Sequence, residues 1–336
     1  MKIFLFTMGL LIPFLFSCGV QKKDEPKPVR IIFDSDIGPD YDDVGAIALL
    51  HAFADSGKAI ILATMASNQN ELVGPTLDVI NTYFGRPTIP IGAPKGKGVN
   101  LGCWQKWSDS ITVKYPHQLK RTSDATDATI LYRRILSKQD DKSVTIVTTG
   151  FLTNMGNLVE SKPDRISPLS GQELIAKKVL RLVSMAGGYP KGKEFNMVLD
   201  SAASKITFDK WPTPVIFTGY EIGRNLFTGI RLIQMPVDNS PVKDVFRISI
   251  PQSKEDKNGR MSWDETAVLI AVNGTDNYFS TVKGKITVLA DGSNTWENQP
   301  EGLHEYVVQK MPVTELSKVI EDLMMHLPNR AYTIKK

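Results

Sequence analysis

Ten consecutive residues, Asp34-Ser35-Asp36-Ile37-Gly38-Pro39-Asp40-Tyr41-Asp42-Asp43, constrain this chain more than any other stretch. Five carboxylates fall between the apolar run Val29 to Phe33 and the apolar run Val44 to Leu50. The first run reads as a buried strand and the second as a helix. The acids therefore occupy the turn at the carboxyl end of a strand, where open α/β sheets place their ligand sites. So many like charges in one turn repel each other and ask for a counter-charge. A hard divalent cation with oxygen ligands meets that need, and Ca²⁺ accepts six to eight of them. Helix capping accounts for one or two acids at a helix start, but not also for Asp34, Asp36 and Asp40. The spacing is not an EF-hand, which requires a Glu at its twelfth position and a helix before the loop.

The amino-terminal region has a different purpose. Lys2 followed by the apolar run Ile3 to Phe16 has the form of an export signal, too short for a stable membrane span. Leu15-Phe16-Ser17-Cys18 resembles a bacterial lipoprotein signal with Cys18 as the lipidated residue; the alternative is an ordinary signal peptide cut nearby. The expected organisation is a signal over residues 1–17, a charged, proline-bearing tether over 18–28, and one catalytic domain over 29–336. An exported protein attached to the cell envelope by a lipid follows, with no other membrane contact. Beyond Cys18 only Cys103 remains, which forbids an internal disulfide. The net charge of +4 is small and the basic residues are scattered, so nucleic acid is not an expected partner.

After the acidic turn, β-rich runs alternate with helical segments. Strands are expected at Ala59 to Ala66, Thr88 to Ile91, Ser143 to Thr148, Lys178 to Met185 and Pro214 to Phe217. Helices are expected at Glu71 to Phe84, Thr122 to Ser137, Gly150 to Val159 and Asp200 to Asp209, and helices dominate Gly219 to Ala271. Pro94 to Ser110 reads as a glycine-rich loop carrying Trp104 and Trp107. A strand pair, Lys285 to Leu289 and Glu305 to Val308, precedes a last helix from Val313 to Met325. This alternation predicts a Rossmann-like α/β domain with a mainly parallel sheet flanked by helices.

The carboxyl ends of parallel strands share one edge. That edge would collect the aspartates, Ser67-Asn68-Gln69-Asn70, Thr148-Thr149-Gly150 and Glu194-Phe195-Asn196, with Trp263-Asp264-Glu265 opening a later helix. Taken singly, Asn68 is a turn residue, Glu194 a surface residue and Asp264 an N-cap. Together they suit a Ca²⁺ shell or a polyhydroxylated ligand.

From Val29 to Met325 the chain resembles the inosine–uridine-preferring nucleoside hydrolase family. The aspartate stretch looks like that family's fingerprint in a longer form with the additional Asp40, and Asn68, Thr148 to Asn154, Glu194-Phe195-Asn196 and Asp264 follow in the family's order. The resemblance implies the nucleoside hydrolase fold, Ca²⁺-dependent hydrolysis of an N-ribosyl bond, and a small-molecule nucleoside as partner. It implies that Asp36 is the general base, and that Asp36, Asp43, Asp264 and the Thr149 carbonyl hold the ion. It also assigns Asp42 (or Asp40), Asn68, Glu194 and Asn196 to the sugar hydroxyls. Members of the family form dimers or tetramers, so a homo-oligomer is a further expectation.

Two departures bear on the substrate. Where many members carry a His acid for the leaving base, this chain has Trp263, as in the purine-specific class. Trp263, with Trp104 or Trp107 as a second ring, would then stack a purine. The loop Gly187 to Lys193 lacks the family's usual Asn for the ribose 5′ end. Two rival readings exist: a Ca²⁺-dependent binding lipoprotein without turnover, and a haloacid-dehalogenase-like phosphatase with Asp34 as nucleophile. The second expects Thr or Val where Gly38 stands and leaves Asp42 and Asp43 unexplained.

Overall fold

The computed structural model describes residues 27–329. The signal and most of the tether, with Cys18, lie outside the described residues.

In chain order the first half runs β1 (Val29–Ser35), α1 (Asp42–Asp55), β2 (Ala59–Ala66), α2 (Val73–Tyr83), β3 (Ile91–Ala93), α3 (Trp107–Lys114), β4 (Thr126–Asp127), α4 (Ala128–Leu136), β5 (Val144–Thr148), α5 (Thr153–Glu160), α6 (Gly171–Lys178) and β6 (Val179–Met185). The second half runs β7 (Lys191–Gly192), α7 (Phe195–Leu199), α8 (Ser201–Lys210), β8 (Val215–Thr218), α9 (Tyr220–Gly223), β9 (Phe227–Thr228), α10 (Ile230–Ile233), α11 (Pro241–Ser249), β10 (Arg260–Met261), α12 (Asp264–Asn273), β11 (Phe279–Val288), β12 (Asn294–Asn298), β13 (His304–Gln309) and α13 (Val313–Met324).

Eleven strands form one sheet in the order β4-β3-β2-β1-β5-β6-β8-β13-β11-β12-β7. From β4 to β13 every pairing is parallel; β11, β12 and β7 add an antiparallel extension. Parallel strands buried on both faces read as unbroken apolar runs, which is why Ile31, Ile32, Phe33 and Val144, Ile146, Val147 were legible. One face packs on α1, α2, α11, α12 and α13, and the other on α4, α5, α6 and α8. The chain proceeds outward from β1 through β2 to β4, then restarts on the other side of β1 at β5. The order therefore reverses between β1 and β5, and a crevice opens beyond the carboxyl ends of strands at such a reversal.

Several local expectations are corrected. The expected helix from Thr122 begins at Ala128, because Asp127 accepts from the Ile130 amide as its N-cap and Thr126–Asp127 pairs with β3. Part of the expected loop is helix α3, beginning at Trp107. Several elements have no expected counterpart, among them α6 and β12. Helix α6 opens with a capping box between Ser170 and Glu173. The polar strand β12 (Asn-Thr-Trp-Glu-Asn) is held by its ladder to β11 rather than by apolar pattern.

Candidate active site

The crevice is built by close backbone approach. Thr149 N–H donates to the Asp34 carbonyl at 2.8 Å, and Ser67 N–H to the Ser35 carbonyl at 2.9 Å, so the ends of β5 and β2 clamp that of β1. Gly150 is required there by space: a Cβ would stand 2.3 Å from the Asp36 nitrogen and 2.5 Å from Ser67 Oγ. One cavity above this junction is lined by Asp36, Asp40, Asp42, Asp43, Thr149, Glu194, Asn196 and Asp264, and by Trp104, Phe195, Tyr220 and Trp263.

Most of the acids are buried, and Asp43 is short of partners. Asp43 Oδ1 accepts from Ser35 Oγ at 2.6 Å and Thr149 Oγ1 at 3.0 Å, while its Oδ2 has no hydrogen-bond partner. Desolvation, then the charge of Asp42, pushes the Asp43 carboxyl up to about 8. Burial, then Asp43, Asp40, Asp42 and Glu194, raises Asp36 well above the usual carboxylate range. Asp264 is raised for the same reasons, burial first and Asp42 next. One oxygen each of Asp42, Asp43 and Asp264 lie within 4.8 Å of one another. Groups that resist losing their protons alone are the ones a divalent cation would relieve. The orphaned Asp43 oxygen and the clustered carboxylates fit such an ion.

Asp34, below the cavity, is a scaffold. Its Oδ2 accepts from Tyr132 at 2.8 Å and Asn154 at 3.0 Å, and burial raises it to about 7. Asn154 also donates to the Ala66 carbonyl at 2.8 Å, tying α5 to both β1 and β2.

Asp42 serves a purpose its position in the sequence does not reveal. Its Oδ2 accepts from the backbone of Trp263 at 3.1 Å and Asp264 at 3.4 Å, capping α12, and its Oδ1 accepts from Arg260 at 3.0 Å. This bridge carries Asp264 across the chain to Asp43, and it puts Asp42, where Asp36 was expected, in the tightest acidic triplet. Asp36 and Thr149 line the same cavity.

On the sugar side, Glu194 caps α7, its oxygens accepting from the backbone of Gly187, Asn196 and Met197. Burial raises it to about 7, against the pull of those amides. Asn196 Nδ2 faces the carbonyls of Thr149 at 3.4 Å and Met185 at 3.3 Å, leaving its Oδ1 as the free end. Asn68 is placed otherwise. It is fully buried, off the cavity wall, and its amide donates to the Asp36 and Leu101 carbonyls at 3.2 and 2.9 Å. It shapes the loop instead of facing a ligand.

The aromatic side has two walls. Trp104, 62% exposed, meets Phe195 edge-on at 6.1 Å; Trp263 stacks on Tyr220 at 5.5 Å and donates from its ring nitrogen to the Tyr220 carbonyl. Gly223 makes room for Trp263, since a Cβ there would meet its ring at 2.4 Å. Trp107 is corrected: it is fully buried, opening α3 inside the core, and presents no platform.

The profile of the inosine-uridine preferring nucleoside hydrolase family matches residues 31–312. The chain belongs to that family. It is 26% identical over 235 residues to the inosine-uridine preferring nucleoside hydrolase of Crithidia fasciculata, covering 66% of this chain and 70% of that one. It is 29% identical over 204 residues to the pyrimidine-specific ribonucleoside hydrolase of Enterobacter sp. (strain 638), covering 57% and 60% respectively. Among solved structures, the purine-preferring ribonucleoside hydrolase of Gardnerella vaginalis superposes with a TM-score of 0.67 at 17% identity, over 88% of this chain and 99% of that one. A nucleoside hydrolase is an N-glycosidase, so the phosphatase reading is set aside. The relatives' names disagree about the base.

Four groups at the cleft or just behind it had no role assigned from the sequence: Phe195 and Tyr220 on its wall, and Arg260 and Tyr41 behind the acids. Arg260 had a signal, because five acids in one turn call for a cation and this one lies four residues before Asp264. Phe195 and Tyr220 had none, since apolar residues in helical segments usually pack inward.

Proposed function

We propose that this nucleoside hydrolase uses Ca²⁺ to hydrolyse the N-glycosidic bond of purine ribonucleosides, releasing base and ribose. The observation that carries the reading is the two-sided cleft: ion-suited carboxylates stand opposite aromatic walls in one cavity. Asp36, Asp43, Asp264 and the Thr149 carbonyl would hold the ion, with Asp42 beside them. When bound, Ca²⁺ supplies a site that orients a water and lowers its pKa.

Asp36 takes the proton from the attacking water as general base. Burial and the surrounding acids raise its proton affinity above that of an ordinary carboxylate, so it holds a proton more readily. Asp40, Glu194 and Asn196 face the ribose hydroxyls, and their negative or oxygen ends stabilise the positive charge that grows on the ribosyl ring. Trp104 and Phe195 on one side and Trp263 with Tyr220 on the other enclose the base, and ring stacking favours the larger purine surface. Trp263 cannot donate a proton as a His would, so departure of the base relies on that enclosure.

The test is a base-release screen over inosine, guanosine, adenosine, uridine and cytidine, with Ca²⁺ or with chelator. Faster release from purine nucleosides, lost in chelator, is the expected result. Binding without release would replace hydrolysis by a capture role. Equal release from pyrimidine nucleosides would remove the purine preference.

The amino-terminal residues support a further reading, that Cys18 carries a lipid anchoring an exported protein. Cys18→Ser should move the protein from the membrane to the soluble fraction; unchanged fractionation would remove the anchor.

A further inference from the structure

Among the described residues, the acids of the cleft face one buried cation, Arg260. Its guanidinium pairs with Asp40, with Asp42 at 3.0 Å and with Asp256 at 3.7 Å, and the side chain is 9% exposed. It also lies 4.9 Å from the ring centre of Tyr41 and 5.2 Å from that of Trp263. Tyr41 in turn donates to Asp256 at 2.7 Å. One flat, forked group thus touches the acidic turn through Asp40 and Asp42, and the aromatic wall through Trp263. An ammonium has neither the fork nor the plane to satisfy both.

Arg260 comes from β10, a two-residue ribbon paired with β9. The polar segment before it has no apolar pattern that would fix its place. The ladder to β9 and the Ser262 amide on the Leu226 carbonyl hold the ribbon, and polar contacts tie it to the acidic turn: Arg260 on Asp42, and Asp42 on the first amides of α12. The start of α12 carries Asp264 and follows Trp263, so the chain that ends at Arg260 sets the distance between the acids and the ring.

We propose that Arg260 is a positioning residue: it pins Asp40 and Asp42 so that Asp43 and Asp264 meet in the right place for a divalent ion, and it fixes Trp263 as a wall for the base. This rests on the ion and base roles given above, but its test does not depend on turnover.

A purely coulombic role and a positioning role predict opposite signs. If Arg260 merely adds positive charge next to the acids, removing it should tighten Ca²⁺ binding. If it positions them, removing it should loosen Ca²⁺ binding, because Asp42 loses its anchor and Asp264 its fixed neighbour.

The experiment is calorimetric titration of Ca²⁺ into the full-length protein, into Arg260→Met and into Arg260→Lys, alongside kcat and KM for guanosine and uridine. The expected result is Ca²⁺ affinity at least tenfold weaker for Arg260→Met, with Arg260→Lys in between. The ratio of guanosine to uridine kcat/KM should shrink at least threefold in both variants. Ca²⁺ affinity unchanged or tighter in both variants overturns the proposal. Should Arg260→Met not fold, Arg260→Lys decides alone: weaker Ca²⁺ binding supports positioning, and binding equal to the parent overturns it. If the parent binds Ca²⁺ but releases no base, hydrolysis fails while the Arg260 comparison still stands.

Discussion

Carboxylates in two regions of this molecule have opposite circumstances. Away from the cleft two of them are firmly paired: Asp164 takes two hydrogen bonds from Arg133 at 3.0 Å and is held down to about 2, and Asp55 is bound by Arg86 and His326 at 2.6 and 2.7 Å and held below its usual range. In the cleft Asp43 and Glu194 are raised to about 8 and 7, with Asp34 just beneath it raised to about 7, and oxygens of Asp34 and Asp43 have no partner. The paired acids stabilise the fold as it stands. The acids at and beneath the cleft stabilise it only with a proton or a cation in place, which is the mark of a site built for one.

Substitutions should divide along the same line. Asp36→Asn is expected to lower kcat for guanosine at least a thousandfold while the thermal midpoint without metal stays level or rises; retained turnover would remove Asp36 from the base role. Arg133→Met should do the reverse. It removes both guanidinium bonds to Asp164, which keeps only the amides of Ile166 and Ser167, and it takes the side-chain donor from the Leu169 carbonyl, for a loss of about 3 kcal/mol in denaturant unfolding with kcat kept in the folded fraction. Trp104→Ala should lower purine kcat/KM about tenfold more than pyrimidine kcat/KM, in line with roughly 1–3 kcal/mol of stacking per base. An equal loss for both bases would take that ring out of base selection.

The smallest effect is the one that reads the comparison directly. A carboxyl with a raised folded-state pKa contributes stability below its unfolded value, and this is lost as pH climbs through the folded value. Without metal the thermal midpoint should therefore fall by several degrees from pH 5 to pH 8.5, as Asp34, Glu194 and Asp43 lose protons. Asp164 works the other way: its contribution is present above about pH 4 and vanishes toward pH 2. Saturating Ca²⁺ should flatten the alkaline fall. A midpoint in chelator that holds steady or climbs over that range would contradict the unpaired state of the cleft acids.

How much of this was legible follows from what each element depends on. The central strands are buried on both faces, so Ile31 to Phe33 and Val144 to Val147 announced themselves as apolar runs. Strand β12 is polar and owes its place to pairing with β11, which no local pattern encodes. Likewise Thr149 was readable just past a strand end and Asp43 in the turn after one, whereas the capping of α12 by Asp42 joins residues 221 positions apart. Trp107 misled because a glycine-rich stretch hides a helix whose first residue turns inward. Arg260 was overlooked because its meaning lies in the groups it touches.

The most direct test of the whole account is a crystal structure grown with Ca²⁺ near pH 7.5. It should show one ion between Asp36, Asp43, Asp264 and the Thr149 carbonyl, with oxygens at roughly 2.3–2.6 Å. No ion there, with those carboxyls keeping their present separations at saturating Ca²⁺, would contradict it.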